Sequence, residues 1–168
     1  IKINEDDLWP AKRANAAYLK GVAHSISGEY DLAKSFWVPL TKGYDDLFRA
    51  KAGLALVMLE YSQDEISAKE AIDRLEGLRF AWRGDELEAQ INFMLGRLYI
   101  EQDVFMRGFT ILREATSLRP DANISQDITD YMRDQFEDIL VHKEDLSALD
   151  AVTLFEEFRE LTPAGRDG

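Results

Sequence analysis

Residues 89–122 read AQINFMLGRLYIEQDVFMRGFTILREATSLRPDA, and this stretch decides the fold. Its apolar residues recur at helical spacing on both sides of a short polar break at 101–103, which predicts two helices joined by a tight turn. One small residue stands in each helix, Gly96 and Gly108. We expect the two glycines to touch, because small residues let helices approach closely. Pro120 is expected to end the second helix, since proline cannot continue one.

The same pattern extends in both directions from this pair. Gly, Pro and polar clusters divide the chain into eight predicted helices, and Asp85 and Ser147 are typical helix-start residues. The predicted helices are 10–26, 30–41, 45–61, 66–80, 85–101, 104–117, 124–142 and 146–161. The third contains AGLALVML, which is apolar almost all round and should therefore lie centrally. The sequence predicts an all-α fold in which each apolar stripe is covered by the next helix pair.

The spacing within 89–122 resembles the tetratricopeptide repeat, whose signature places Leu-Gly-x-x-Tyr on the first helix, Ala-x-x-x-Phe on the second and Pro at the end. The matching positions are Leu95, Gly96, Tyr99, Gly108, Leu112, Ala115 and Pro120. Tyr99 and Leu112 are expected to fill the gap between the two helices. A second copy at 14–47 has Gly21, Gly28, Tyr30, Ala33 and Trp37 at the corresponding offsets, with His24 in place of Tyr and Asp45 in place of Pro.

The other two copies diverge from the repeat. In the middle unit Gly53 is followed by Ala71 and Leu75 six residues too late, so a longer helix or turn is expected. The last unit keeps the second-helix positions but has Ile139 where the glycine should stand. Its second-helix matches are Ala151, Phe155, Phe158 and Pro163.

The resemblance implies a right-handed α-solenoid of four antiparallel helix pairs, near 10–43, 44–82, 85–120 and 124–163, in a single domain over 1–168. It also implies a scaffold that binds a partner protein in a concave groove. The strings LRFAWRGDELE at 78–88 and FRELTPAG at 158–165 look like those of long bacterial tetratricopeptide-containing proteins of unassigned function. This implies a bacterial source. The absence of cysteine is compatible with either the cytoplasm or the periplasm. The broad apolar stripe of the last helix leads us to expect an interior piece of a longer array.

If this repeat registration is correct, first-helix positions line the groove. They are Asn15, Tyr18, Val22 and Ser25 in one repeat, and Gln90, Phe93, Arg97 and Glu101 in another. Tetratricopeptide modules that grip chaperone carboxylates resemble each other in using Lys and Asn at the positions held here by Tyr18 and Val22. We therefore expect an extended or helical partner segment that contacts Tyr18, Phe93 and Arg97.

Composition narrows the partner class. The net charge of −12 argues against nucleic acid and against an anionic membrane surface, because both require basic protein surfaces. Most of this charge lies in 121–168, which carries 13 acidic and 4 basic residues. We interpret this acidic region as a solvated face, with a docking site for a basic partner as the alternative.

No apolar run is long enough to span a bilayer. The absence of cysteine excludes disulfides and thiolate sites.

Catalytic signatures are absent from the sequence, and we predict neither an enzyme nor a cofactor. His24 and His142 are the only histidines, and no metalloprotease, nucleophile-elbow or phosphate-loop motif occurs. His24 is interpreted as a helix-packing residue. Asp138 and His142, four apart, could supply two metal ligands with Glu144 or Asp145 as a third, but a surface ion pair is the preferred interpretation.

The last helix supports an alternative function, a structural spacer or self-assembly region. Its stripe of Leu149, Val152, Phe155, Phe158 and Leu161 is broad, and Leu154 is expected to lie apart from it. One partner helix would leave part of this surface in water, at roughly 25 cal/mol per Å². Self-association through 149–161 is the expected consequence.

Overall fold

The structure is a computed structural model that describes residues 10–118 and 123–162. These residues form eight α-helices and one 3-10 turn, with no β-strand among them, which confirms the all-α prediction. The helices are α1 (Pro10–Ile26), α2 (Tyr30–Thr41), α3 (Asp46–Ser62), α4 (Ala68–Ala81), α5 (Glu86–Glu101), α6 (Phe105–Leu118), α7 (Asn123–His142) and α8 (Ala148–Glu157). The 3-10 turn is Arg159–Leu161.

Side-chain caps explain where several helices begin. The carboxylate of Asp85 accepts hydrogen bonds from the backbone N–H groups of Leu87 and Glu88, and the Ser147 hydroxyl accepts one from Asp150 N–H. Both predicted helix-start residues are therefore confirmed. Asp45 and Ser67 cap α3 and α4 in the same way. Each cap satisfies a backbone donor that has no partner within its own helix.

The chain divides between Arg83 and Gly84 into two compact units. The boundary falls between the second and third predicted helix pairs. The prediction of a single domain stays a prediction, and each unit is described by itself.

In the first unit, α3 packs against α1, α2 and α4. This confirms the central position expected for the AGLALVML helix. The core contains Ala33, Trp37, Ala52, Leu56 and Leu59.

In the second unit, α5 and α6 make the most extensive helix contact, and α7 packs against both. The Phe109 ring lies at the centre of this core, 5.9 Å from the ring of Phe136 and 5.3 Å from that of Phe158. The buried residues of this core are Ile100, Phe109, Leu112, Ala115, Ile128, Met132, Phe136, Ile139, Leu154, Phe158 and Leu161.

Glycine contacts set the close approach of α5 and α6. A Cβ atom on Gly96 would lie 2.6 Å from Leu112 Cγ and 3.0 Å from the carbonyl oxygen of Gly108. The predicted contact between Gly96 and Gly108 is therefore confirmed. Leu112 fills the space beside Gly96 as expected, but Ile100 rather than Tyr99 lies against Gly108. Tyr99 is half-buried, and the Arg107 guanidinium of α6 lies 5.9 Å from its ring centroid.

The pair α1–α2 has the same internal spacing as α5–α6. Each pair has a three-residue loop, and each glycine faces a large side chain sixteen positions later. Gly21 faces the Trp37 ring, as Gly96 faces Leu112. Identical spacing places the same kind of close helix contact in both units.

The six additional residues of the middle pair have a specific location. Relative to α1, α3 continues four residues further beyond its glycine, and the loop at 63–67 is two residues longer. Gly53 in turn lies against Leu78 of α4. An ion pair between Lys34 Nζ and Glu65 Oε1, 2.7 Å apart, holds this longer loop against α2. The hydrogen bond to Glu65 raises the pKa of Lys34.

The last helix differs from the prediction in its end and in its buried face. The α-helix stops at Glu157, and the 3-10 turn makes the closer backbone approach to α7. Leu154 lies on a different side of the helix from the exposed residues of the stripe, and its side chain is buried, being only 1% exposed. Leu154 belongs to the buried core of the second unit, together with Ile139 of α7.

The exposed part of the predicted stripe is therefore Leu149, Val152 and Phe155, whereas Phe158 and Leu161 are buried with Leu154. Arg113 on α6 holds this end in place through a 2.6 Å ion pair with Glu157. The predicted roles of Pro120 and Pro163 lie outside the described residues.

Candidate functional site

Within each unit, the first helices of consecutive pairs lie side by side: α1 packs on α3, and α5 packs on α7. Each of these two faces carries a pair of aromatic side chains with a cation above them. We refer to them as the α1–α3 groove and the α5–α7 groove.

The aromatic pair of the α1–α3 groove is Tyr18 and Phe48, with ring centroids 6.2 Å apart. The Tyr18 ring also lies 6.3 Å from the buried Trp37, whose Nε1–H donates a 3.1 Å hydrogen bond to the backbone oxygen of Tyr18. Trp37 thereby fixes the position of α1 at Tyr18. A preformed aromatic surface of this kind loses little conformational entropy when it binds a ligand.

Lys51 completes this site. Its Nζ lies 5.7 Å from the Tyr18 ring centroid and 5.6 Å from that of Phe48. No carboxylate of the described part of the chain pairs with it. Cation–π contacts orient the ammonium but do not neutralise it. A half-buried positive charge without a counter-ion favours an anionic group on whatever occupies the groove.

Apolar side chains extend the α1–α3 groove along both helices. Val22 and Ala55 are half-buried against the core beneath. Leu19, Ile26 and Met58 are exposed large apolar residues of the same two helices. By helical spacing, Leu19, Val22 and Ile26 share one face of α1. These residues therefore form an apolar surface with a cation at one end.

The α5–α7 groove has a related arrangement. The rings of Phe93 and Tyr131 meet edge to face at 5.5 Å. The Arg97 guanidinium lies 5.8 Å from the Phe93 centroid and 5.6 Å from the Tyr131 centroid. Gln90, one turn earlier, donates a 3.4 Å hydrogen bond to Glu86.

The structure brings together some of the residues predicted from the sequence. Phe93 and Arg97 are in contact, whereas Asn15 and Gln90 are exposed and take no part in either aromatic pair. Sequence reasoning misses Phe48 and Lys51, because the predicted groove positions lie only in the first and third helix pairs. The sequence feature that could have identified Phe48 and Lys51 is their position near the start of α3, the helix that follows the first predicted repeat.

The two half-buried phenols have perturbed acidities. Burial raises the pKa of Tyr18. Burial is also the largest cause of the raised pKa of Tyr131, to which the charge of Glu101 adds, while Arg97 opposes it. A raised phenol pKa means that the folded state favours the neutral form. Burial of the neutral phenol therefore contributes its full stabilisation at pH values below about 10, the pKa of tyrosine in the unfolded chain. This stabilisation is lost as the pH rises through the higher pKa of the folded state.

We therefore expect an alkaline titration of phenolate absorbance to show a late-titrating component that includes Tyr18 and Tyr131. Tyr18→Phe and Tyr131→Phe should each remove one equivalent from that component. If Tyr18→Phe left that late component unchanged, the half-buried position of this ring would be contradicted.

No model of a known protein family matches this chain, and no curated protein matches it. The interpretation of the two grooves therefore depends on their geometry. None of the helices in 10–118 and 123–162 is both long and apolar enough to cross a membrane.

Asp138 and His142, the two residues considered as metal ligands in the sequence, form an ion pair. His142 Nδ1 lies 3.1 Å from Asp138 Oδ1, and both side chains are exposed. In the described part of the chain no three His, Asp or Glu residues are placed to share a metal ion. His24 stacks on Phe36 at 5.4 Å and contacts Glu29 at 2.7 Å. These contacts agree with its interpretation as a helix-packing residue.

Proposed function

We propose that this chain is a tetratricopeptide-like repeat scaffold that binds segments of partner proteins in its grooves. The observation that carries the proposal is the recurrence of one arrangement, an aromatic pair beneath a cation, on the first helices of both units. Phe48, Tyr18 and Lys51 form it in one unit. Phe93, Tyr131 and Arg97 form it in the other.

The chemistry of these groups suits binding rather than catalysis. Aromatic rings contribute a large contact area at low entropic cost, and Tyr and Arg are enriched among residues that dominate binding energy. The cations favour a carboxylate on the partner. We infer that the preferred ligand is a helical or extended segment with apolar side chains and acidic neighbours, taken up without chemical change.

A right-handed solenoid is the architecture in which these faces would line one concave surface. The equal spacing of α1–α2 and α5–α6 and the packing of α1 on α3 and α5 on α7 support a repeat of this kind.

A capture experiment tests the proposal. The chain is immobilised and exposed to cell extract, and the bound proteins are quantified. We expect Tyr18→Ala or Arg97→Ala to lower the recovery of a specific partner about tenfold, which corresponds to about 1.4 kcal/mol. Phe80→Ala is the control, because Phe80 is an exposed aromatic residue of α4, outside both grooves. Recovery that is the same for all four proteins would rule out the grooves as the binding surface.

Self-assembly is the second candidate function, and a specific observation favours it. On α8, Leu149 is 76% exposed and Val152 is 60% exposed, and Phe155 continues the same ridge. An apolar ridge of this kind favours contact with another protein surface.

A further inference from the structure

A cleft of about 400 Å³ lies beside the start of α1, within the first unit. Its volume is in the range of about 300–1,000 Å³ that is typical of ligand-binding clefts. Ala11, Ala14 and Ala17 line one wall, and their three-residue spacing places them on one face of α1. We refer to this face as the alanine wall. It offers only methyl groups, so the cleft stays open where larger side chains would fill it.

The opposite wall comes from the end of α2, the following loop and the start of α3. It contains Leu40, Tyr44 and Phe48. The Tyr44 side chain is fully exposed, whereas Phe48 is buried and also belongs to the aromatic pair of the α1–α3 groove. The cleft therefore adjoins that groove, and most of its lining is apolar.

A cation without a counter-ion lies at the edge of the cleft. Arg13 is exposed there and pairs with none of the acidic side chains that the structure describes. The acidic residue of the lining, Asp45, is engaged at the start of α3, where its carboxylate accepts a 3.1 Å hydrogen bond from the Phe48 N–H. An occupant with apolar side chains next to carboxylates would match both the lining and Arg13.

The nine residues that precede α1 contain such a sequence. Residues 5–9 read EDDLW, which is three carboxylates followed by two large apolar side chains. Pro10, the first residue of α1, itself lines the cleft, so these residues are attached at its edge. A segment tethered this closely has an effective concentration in the millimolar range, which favours it over a free segment of the same sequence. Apolar residues just before a helix also commonly pack back on its first turn.

We propose that residues 5–9 of this chain occupy the cleft as an internal ligand. The Trp9 ring covers the alanine wall and Tyr44, and the carboxylates before it approach Arg13. The cleft carries this inference, which goes beyond the partner binding proposed for the α1–α3 groove. A partner segment that extended past Phe48 would have to displace the internal one.

Fluorine NMR of the full chain labelled with 5-fluorotryptophan tests this arrangement. The chain has three tryptophans, and Trp9→Phe assigns the signal of Trp9. The change in its chemical shift between H2O and D2O reports how far solvent reaches the indole ring. We expect a smaller solvent shift for Trp9 than for free 5-fluorotryptophan. The value should be the same at every protein concentration, because the contact is intramolecular.

Two variants alter the cleft itself. Tyr44→Ala removes part of one wall, and Arg13→Glu reverses the charge at the edge. Each should increase the solvent shift of Trp9 towards that of the free amino acid, and neither should disturb folding, because both side chains are exposed. Lys12→Glu and Phe80→Ala are the matched controls and should leave the Trp9 signal unchanged. Lys12 is exposed beside Arg13 but outside the lining of the cleft, and Phe80 is an exposed aromatic residue of α4.

A Trp9 signal with the full solvent shift of free 5-fluorotryptophan would overturn the proposal. A protected Trp9 that responds to neither Tyr44→Ala nor Arg13→Glu would also overturn it, because the ring would then pack elsewhere. Protection that disappears on dilution would show that the segment of a second copy fills the cleft, which contradicts an internal ligand. The partner-binding proposal is decided separately, by whether capture depends on Tyr18 and Arg97.

Discussion

Phe109→Ala is expected to lower the free energy of unfolding of the second unit by about 3–5 kcal/mol. The Phe109 side chain is completely buried, and its ring contacts Phe136 on α7 and Phe158 at the end of α8. Its removal leaves a cavity where α6, α7 and the C-terminal turn meet. Denaturant unfolding followed by circular dichroism measures the loss.

Phe80→Ala is the control for this prediction. The Phe80 side chain is 79% exposed, and its truncation should change stability by no more than about 0.5 kcal/mol. A loss below about 1 kcal/mol for Phe109→Ala would contradict the assignment of this ring to the centre of the core.

Gly96→Leu is expected to destabilise the chain by roughly 1–3 kcal/mol through overpacking. Even a Cβ atom at this position would approach the backbone oxygen of Gly108 to 3.0 Å and the Leu112 side chain more closely still. The helices would have to separate, and Ile100 and Leu112 would lose their close packing. The change is measured as a shift in the denaturation midpoint.

Gly77 offers a matched comparison, because it is also a helical glycine, but a Cβ atom added to it would have no neighbour within 4 Å. Gly77→Ala should stabilise the chain by about 0.5–1 kcal/mol, since alanine favours a helix more than glycine does. Gly96→Ala should have the opposite sign. If both substitutions stabilised the chain equally, the close contact of α5 with α6 would be refuted.

Much of the fold could be predicted from the sequence, because local signals decide it. Helical periodicity and the cap residues Asp85 and Ser147 place the helices to within about two residues, apart from the end of the last one. The contact between Gly96 and Gly108 follows from spacing alone, since a three-residue turn leaves few ways to align two helices.

The last helix could not be predicted as well, because its burial depends on tertiary packing. Periodicity places Leu154 apart from the apolar stripe, but it does not decide which side of α8 faces the core. In the structure, Leu154 joins the core of the second unit and Arg113 of α6 pairs with Glu157. These contacts join residues that are far apart in the sequence.

The candidate site was predictable only where the repeat is regular. Phe93 and Arg97 follow from the well-registered third pair, and the structure places them in contact. Phe48 and Lys51 lie on α3, in the pair whose spacing is six residues longer, and only the packing of α1 on α3 brings them to Tyr18.

Site-specific photo-crosslinking tests most directly whether the α1–α3 groove is the surface that binds a partner. A photoreactive phenylalanine analogue replaces Leu19 on α1 or, as the matched control, Leu32 on α2; both leucines are exposed. After irradiation with cell extract or with a second copy of the chain, we expect a crosslinked product from position 19 and none from position 32. Crosslinking from position 32 alone, or equally from both, would contradict the groove as the binding surface.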